Sequence, residues 1–290
     1  MKGIVLATGR GTRLHPITLA VSKHLLPVHD KPLIYYPLSV LMLAGIDEIL
    51  LISTPADLPR FRALLGDGSR FGIEIGYAAQ PEPGGTAAAF VLGADHIGSD
   101  SVALILGDNI FHGPGLGGLL RAQASDVNGC VLFRHPAGDP RRHGTGDADD
   151  TGKLVALEEK PPGPRSGRAV TGLYLYDNDV VDIAKNLRPP PFGELEIAEV
   201  NRTYLARGRA ALVDLGRGFA WLDAGTPDSL LEAGRYVRIL EHRQGIRIAC
   251  LEEIALRMGF IDADACHRLG RKLANSGYGR YVMDVARVFA

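Results

Sequence analysis

The chain predicts an α/β fold built on a mostly parallel, mixed central sheet flanked by helices, and three observations carry that prediction. Strand-like and helix-like segments alternate through the first half, the pattern of a parallel sheet covered on both faces. The strand-like segments are short and continuously apolar, as strands buried on both faces are. The residues that follow them are polar and rich in glycine, and ligands of such sheets lie beyond the carboxyl ends of the strands.

At 290 residues, 46% hydrophobic and 22% charged, the chain can bury a full core. A formal net charge of -1 gives no field that would draw nucleic acid or an anionic membrane. Cys130, Cys250 and Cys266 are odd in number, widely spaced and without a CxxC or His-paired pattern, which argues against a disulfide framework or zinc site. A strand begins by residue 3, leaving no room for a signal peptide, and no stretch reaches the ~20 apolar residues of a membrane span. The expectation is a soluble, cytoplasmic protein with neither a nucleic-acid nor a membrane partner.

Ile4, Val5 and Leu6 form the first predicted strand, which breaks into Ala7-Thr8-Gly9-Arg10-Gly11-Thr12-Arg13. Gly9 and Gly11 remove side chains that would keep the backbone from a polyphosphate, and Arg13 adds a permanent cation with a fork of donors. The loop is neither a Walker A loop, which needs Lys-Ser/Thr after the second glycine, nor the dinucleotide fingerprint, which needs a third glycine at Leu14. Taken alone, these residues fit a nucleotide site and a tight turn with an exposed arginine equally well. A second cation, Lys23, follows in a Pro-punctuated segment that cannot be one long helix.

Helical spacing then covers 34–45, ending on Gly45, a C-cap residue. Next come a strand at 48–53, a helix at 57–65, a strand at 73–80, a helix at 86–97 and a strand at 102–106. The second half is richer in strands, at 130–134, 154–159 and 169–176, with a polar, glycine-dense loop near 139–152. Helices follow at 179–186 and 194–207. After the short apolar segment Phe219 to Asp223 the chain is largely helical, at 229–243, 251–258, 262–274 and 281–288, and these helices pack on the body or on another subunit. There is no internal repeat or low-complexity linker.

Asp108 ends the apolar run Val102 to Gly107, and Asp223 ends another. Two carboxylates with phosphate oxygens suit Mg²⁺, which takes octahedral oxygen ligands and few of them from protein. Alone, either aspartate is equally an N-cap or turn residue. Glu159 and Lys160 offer a carboxylate for sugar hydroxyls beside a cation for phosphate, or else a solvated strand end. Gln80 can present a donor and an acceptor to the edge of a pyrimidine; without a ligand it is a loop glutamine.

Together these segments resemble the sugar-1-phosphate nucleotidylyltransferases, most closely the glucose-1-phosphate thymidylyltransferases. The family signature is Leu-Ala-Gly-Gly-x-Gly-Thr-Arg-Leu followed by Ser-Lys-Gln-Leu-Leu-Pro, and the chain departs from it only at Thr8 and His24. Further matches are Leu106 to Asn109, Glu158 to Pro161, Val170 to Tyr174 and Trp221 to Thr226. The resemblance implies a Rossmann-like nucleotidyltransferase fold and transfer of a nucleoside monophosphate from dTTP to glucose 1-phosphate. It implies catalytic roles for Arg13, Lys23 and Lys160, and nucleotide binding by Leu6, Ala7, Thr8, Gly9, Gly11, Thr12, Gln80, Gly85 and Asp108. It further implies sugar-phosphate binding by Asn109, Gly144, Glu159, Lys160, Val170, Gly172 and Trp221, with Mg²⁺ on Asp108 and Asp223. The implied organisation is a core over 1–225, with its sugar-binding part about 130–225, and a helical extension over 226–290, in a homotetramer with a second nucleotide site between subunits.

The departures cluster in the implied site. Thr8 replaces a glycine, and a β-branched residue resists positive φ. Thr86 and Ala88 replace Leu and Gln, His143 replaces an aromatic, Thr145 to Ala148 replace Val-Val-Glu-Phe, and Phe192 replaces a phosphate-binding arginine. Two alternatives therefore stand beside the thymidylyltransferase: a nucleotidylyltransferase for another sugar phosphate or triphosphate, and a catalytically impaired relative that binds nucleotide sugar.

Overall fold

The computed structural model describes residues 1–81, 84–163, 167–188 and 194–289, so Phe192 lies outside the described residues. In chain order the strands are β1 (Lys2–Ala7), β2 (Pro27–Val28), β3 (Lys31–Pro32), β4 (Glu48–Ser53), β5 (Glu74–Ala79), β6 (Val102–Leu106) and β7 (Asn109–His112). They continue as β8 (Cys130–Pro136), β9 (Gly144–Ala148), β10 (Leu154–Glu159), β11 (Arg168–Tyr176), β12 (Ala210–Asp214) and β13 (Ala220–Asp223). The helices of the body are α1 (Tyr35–Leu43), α2 (Leu58–Leu65), α3 (Ala88–Leu92), α4 (Ala94–Ile97), α5 (Leu116–Ala124), α6 (Asp179–Asn186) and α7 (Ile197–Ala206). Those of the C-terminal region are α8 (Pro227–Gln244), α9 (Leu251–Arg257), α10 (Ala263–Lys272) and α11 (Gly277–Phe289).

Seven strands form one sheet in the order β12-β8-β11-β6-β1-β4-β5. Neighbours run parallel except at β11, which is antiparallel to both β6 and β8. The sheet is therefore mixed and mostly parallel, as its apolar strands predict. Its two faces are both buried: Val5 and Ala7 pack with Leu38 and Leu41 of α1, while Ile4 and Leu6 pack with Phe90 of α3 and Tyr204 of α7.

The C-terminal helices share this core. Leu251, Ile254 and Ala255 of α9 join the cluster that covers one face of the sheet, and Ala233 and Val237 of α8 pack with Val28, Leu33, Tyr36 and Ile110. Thr226 and Ser229 cap the start of α8 reciprocally. Cys130, Cys250 and Cys266 are buried free thiols. Among the described residues no helix is long and apolar enough to cross a membrane.

Several elements differ from the sequence expectation. The helix expected over 86–97 is two short helices broken at Gly93, where a side chain would stand 2.9 Å from the Ala89 carbonyl and from Ile4 Cδ1. Close packing onto the sheet, invisible in the local spacing, decides that break. The expected loop over 139–152 contains β9, paired antiparallel with β10; its glycines suit strand rather than loop because Gly146 lies against Leu154 and Leu212. The helix expected from 194 begins at Ile197. Strands β7 and β12 and helix α5 carried no recognised signal.

Since α9 belongs to the central core, Leu251→Ala, at a fully buried position, should cost about 2–5 kcal/mol. Thermal melting should show one cooperative transition at a lowered midpoint, not loss of the last helices ahead of the sheet.

Candidate active site

The glycine loop ends in a short 3-10 turn, Thr12–Leu14, entered through Gly11 in the left-handed region at φ 63°. Thr18 pins that turn by donating its hydroxyl to the Gly11 carbonyl at 2.7 Å. Thr8 is absent from the residues at positive φ, so its backbone does not demand glycine; the strain expected of a β-branched residue there does not arise. Gly9 and Gly11 do serve close packing. A side chain at 9 would meet Lys23 Cε at 3.0 Å, and one at 11 would meet Thr18 at the same distance.

Lys23 and Asp108, only 9% and 8% exposed, form a buried ion pair. Gly107 allows it: its backbone N-H donates to the Leu6 carbonyl at 2.9 Å, and a side chain there would run into the His24 ring at 2.7 Å. The other oxygen of Asp108 accepts from Asn109 Nδ2 at 3.0 Å. Asn109 Oδ1 then accepts from Trp221 Nε1 at 2.6 Å and from the Gly172 backbone N-H at 3.1 Å. Gly172 sits where the pairing of β11 with β8 slips, between Val170 and Tyr174, and a side chain there would lie 2.6 Å from Asn109 Oδ1. Irregular strands beside functional sites commonly re-aim groups in this way.

β13 pairs with β7 so that Asp223 stands opposite Asn109, next to Asp108. A side chain at Gly225 would meet the Arg13 guanidinium at 2.9 Å and the Asp223 carboxylate at 3.0 Å, so this glycine lets the two approach. The two aspartates titrate in opposite directions. Burial would raise the Asp108 carboxyl, but the Lys23 ammonium, His24 and the bonds from Lys23 and Asn109 override it and hold it down at about 2. Burial and the Asp108 charge raise Asp223, against the pull of Lys23, Arg13 and Arg142. Paired titratable groups pushed apart in this manner are a frequent mark of a functional site.

These groups open on a cavity of about 220 Å³, below the ~300–1,000 Å³ of pockets for drug-sized ligands and suited to a small polar one. Its walls bring together Arg13, Asp108, Asn109, Gly144, Glu159, Lys160, Val170, Gly172, Trp221 and Asp223 of the expected residues. Lys160 carries an uncommon φ of 45° for a non-glycine residue, its N-H bonded to the His143 carbonyl at 3.2 Å and its ammonium 3.5 Å from Glu159. Gly144 lies under the Glu159 carboxylate, and His143 meets Trp221 edge-on at 4.9 Å between ring centroids.

Leu6, Ala7, Thr8, Gly9, Gly11, Thr12, Gln80 and Gly85 lie outside these walls. Gln80 is buried, and its side-chain oxygen is an acceptor with no partner among the described residues, a costly arrangement unless a ligand supplies the donor. Gly85 has φ 81° and faces Leu195, whose carbonyl would stand 2.3 Å from a side chain there. That contact by itself requires glycine. Sequence reasoning missed Arg142, Glu196 and Asn201 on the cavity wall, which lie in a loop and a helix that carry no site motif. Gly225 could have been found, as it lies within the Trp221 to Thr226 motif.

The nucleotidyl transferase family model matches residues 2–238, and the chain belongs to that family. It is 56% identical to the glucose-1-phosphate thymidylyltransferase of Mycolicibacterium smegmatis over 98% of this chain and 99% of that one. Against the Neisseria meningitidis protein of the same name it is 52% identical over 98% of both chains. Within the wider family its kin are thus the glucose-1-phosphate thymidylyltransferases. A solved Bacillus anthracis structure, assigned as such a protein and bound to sucrose, superposes with a TM-score of 0.76 at 38% identity, over 82% of this chain and 95% of that one. A UDP-glucose pyrophosphorylase bound to UDP-glucose, at 22% identity, TM-score 0.72 and coverage of 82% and 98%, shares the fold.

His24 behind the ion pair gives a pH test. Burial, aided by the Lys23 charge, pushes its pKa down from 6.5 to about 3, so the folded chain refuses a proton that the unfolded chain accepts. Its neutral form supports the fold fully above the ordinary histidine pKa, and that stability is lost as pH falls toward 3. By about pH 5 the loss amounts to about 2 kcal/mol. His24→Gln should therefore lose about 2 kcal/mol less than the parent between about pH 7 and 5 in urea titrations.

Proposed function

We propose that the chain transfers the thymidylyl group from dTTP to α-D-glucose 1-phosphate, giving dTDP-glucose and pyrophosphate. The observation that carries this reading is the meeting of Arg13, Asp108 and Asp223 with Asn109, Glu159 and Lys160 around one cavity. Cations for two phosphorylated substrates thus face a carboxylate and an amide suited to sugar hydroxyls.

A phosphate oxygen of the sugar phosphate attacks the α-phosphorus in line, a new P-O bond forms, and the bond to pyrophosphate breaks. No general base is needed, because the attacking phosphate is already ionised near neutral pH. The protein's work is to bring two anions together and neutralise the charge of the transition state. Arg13 holds the leaving end of the triphosphate, while Lys160 draws in the attacking phosphate and Glu159 holds the hexose. Lys23 keeps Asp108 ionised and fixed. Gln80 Oε1, otherwise without a partner among the described residues, accepts from the N-H of the pyrimidine.

Divalent metal use is general in this family. Asp108 and Asp223 fit one: two hard oxygen donors side by side, one of them with a carboxyl raised by burial and by its neighbour's charge. When bound there, Mg²⁺ would neutralise charge at the α-phosphate. The proposal also includes a cytoplasmic homotetramer with a nucleotide site between subunits, built from a 1–225 core and a 226–290 extension.

One observation favours a second reading. Thr86 lines the cavity where the family has the larger leucine, which suits a different sugar 1-phosphate. Pyrophosphate release across four triphosphates and several sugar 1-phosphates separates the readings, with dTTP and glucose 1-phosphate expected to be fastest. Asp108→Asn and Arg13→Ala should each lower kcat/KM by at least about 100-fold. Near-normal rates in either variant would sink the assignment.

A further inference from the structure

The start of α7 is capped from a distance. Glu196, its N-cap residue, makes no side-chain bond to the helix, yet the first helical N-H, that of Ile197, is satisfied: it donates to Thr86 Oγ1 at 2.9 Å across 111 residues of sequence. A helix start leaves such donors orphaned unless something accepts from them. Two backbone bonds flank this one. Leu195 N-H donates to the Gly84 carbonyl at 3.1 Å, and Ala87 N-H donates to the Leu195 carbonyl at 2.8 Å. Between them Gly85 is wedged against Leu195 with no space for a Cβ. Residues 84–87 and 195–197 are thus one clamp.

Its halves serve different substrates in the proposed reaction. Residues 84–87 follow Gln80 of the base-reading side in sequence, with Thr86 reaching the cavity wall, and Glu196, Ile197 and Ala198 line that wall on the sugar side. We propose that Thr86 is a positioning residue that couples the two: seating the nucleotide base fixes the 84–87 turn, and through the Thr86 to Ile197 bond this fixes the wall that receives the sugar phosphate. The inference rests on the nucleotidyl-transfer reading of the same site. A threonine suits the task because its hydroxyl can accept from Ile197, whereas an alkyl side chain would leave that donor bare.

Thr86→Val keeps the shape and removes the acceptor. Initial rates measured over a grid of dTTP and glucose 1-phosphate concentrations should show the KM for the sugar phosphate falling as dTTP rises in the parent. In Thr86→Val that dependence should vanish, and the KM for sugar phosphate at saturating dTTP should rise about tenfold with kcat changed less than about threefold. Thr86→Ser, which keeps the acceptor, should restore coupling; it also serves if the valine variant does not fold, since a KM shift of tenfold in the serine variant overturns the role of the hydroxyl.

Hydrogen exchange reads the clamp without turnover. Adding dTTP alone should slow exchange at residues 195–198 in the parent and leave it unchanged in Thr86→Val. If the parent turns over dTTP and glucose 1-phosphate but these amides do not respond and KM is the same in the valine variant, the coupling is overturned while the reaction stands. If the amides respond to dTTP but no dTDP-glucose forms, the coupling stands and the choice of sugar falls.

Discussion

The buried pair of Lys23 and Asp108 is the constraint from which the site hangs. Taking two charges out of water is costly, and removing either partner would strand the other, with a penalty of about 3–5 kcal/mol. The pair forms because three local features converge on it: the Pro-punctuated segment after the glycine loop returns Lys23 to the sheet, β6 delivers Asp108 at its carboxyl end, and Gly107 leaves room for the His24 ring against the backbone. From Asp108 the hydrogen bonds run on through Asn109 to Trp221 on β13 and Gly172 on β11. One bonded chain therefore spans the loop, the sheet centre and the β7-β13 pair, and each of its members has a set orientation before any ligand arrives.

That rigidity is confined to the inner half of the site. Asn109 is 2% exposed, like its neighbours nearly out of solvent, whereas the Lys160 side chain is 61% exposed and Arg13 is an exposed residue of the 3-10 turn. Preformed carboxylates and amides lie at the bottom and exposed cations at the rim, an arrangement in which charge recruits anions from solvent while fixed dipoles settle their geometry. Glu196 on the far wall belongs to the same balance: burial raises its carboxyl, and Lys160 pulls against that rise.

The sequence was most legible where one local rule decides the outcome. β4 and β6 begin and end at the expected residues, because a continuous apolar run bounded by polar residues has few other uses in a chain of this kind. Asp108 and Gly172 could be placed for the same reason, being fixed to such strands. Distance hid the rest. The break at Gly93 is imposed by Ile4 and the Ala89 carbonyl, and β9 is a strand only because β10 pairs with it. Glu196 and Asn201 reach the cavity through α7, whose start is fixed by Thr86, 111 residues earlier. Thr8 shows the converse, since a substitution that looked strained beside a glycine motif proves to sit at an ordinary backbone angle.

A second polar cluster shows why satisfaction, more than composition, marks the functional site. His29, Asp30 and Glu241 come close enough to hold a metal ion. Their carboxylates are already engaged: Lys31 bonds Glu241 at 2.9 Å and pairs with Asp30 at 2.5 Å, Arg247 reaches both, and the Ile248 N-H donates to Glu241 at 2.9 Å. Each charge there has an opposite charge beside it, Asp30 Oδ1 being held by the Lys31 ion pair without a hydrogen bond among the described residues, so the cluster acts as a pin between the β2-β3 hairpin and the turn from α8 into α9. At the cavity the ledger stays open. Burial and the nearby Asp108 charge raise Asp223, Thr171 holds a buried oxygen without a hydrogen-bond partner among the described residues, and beyond the cavity walls so does Gln80. Folding alone gives no return for leaving such groups bare, so the ligand that completes them is the part of the structure the chain does not itself supply.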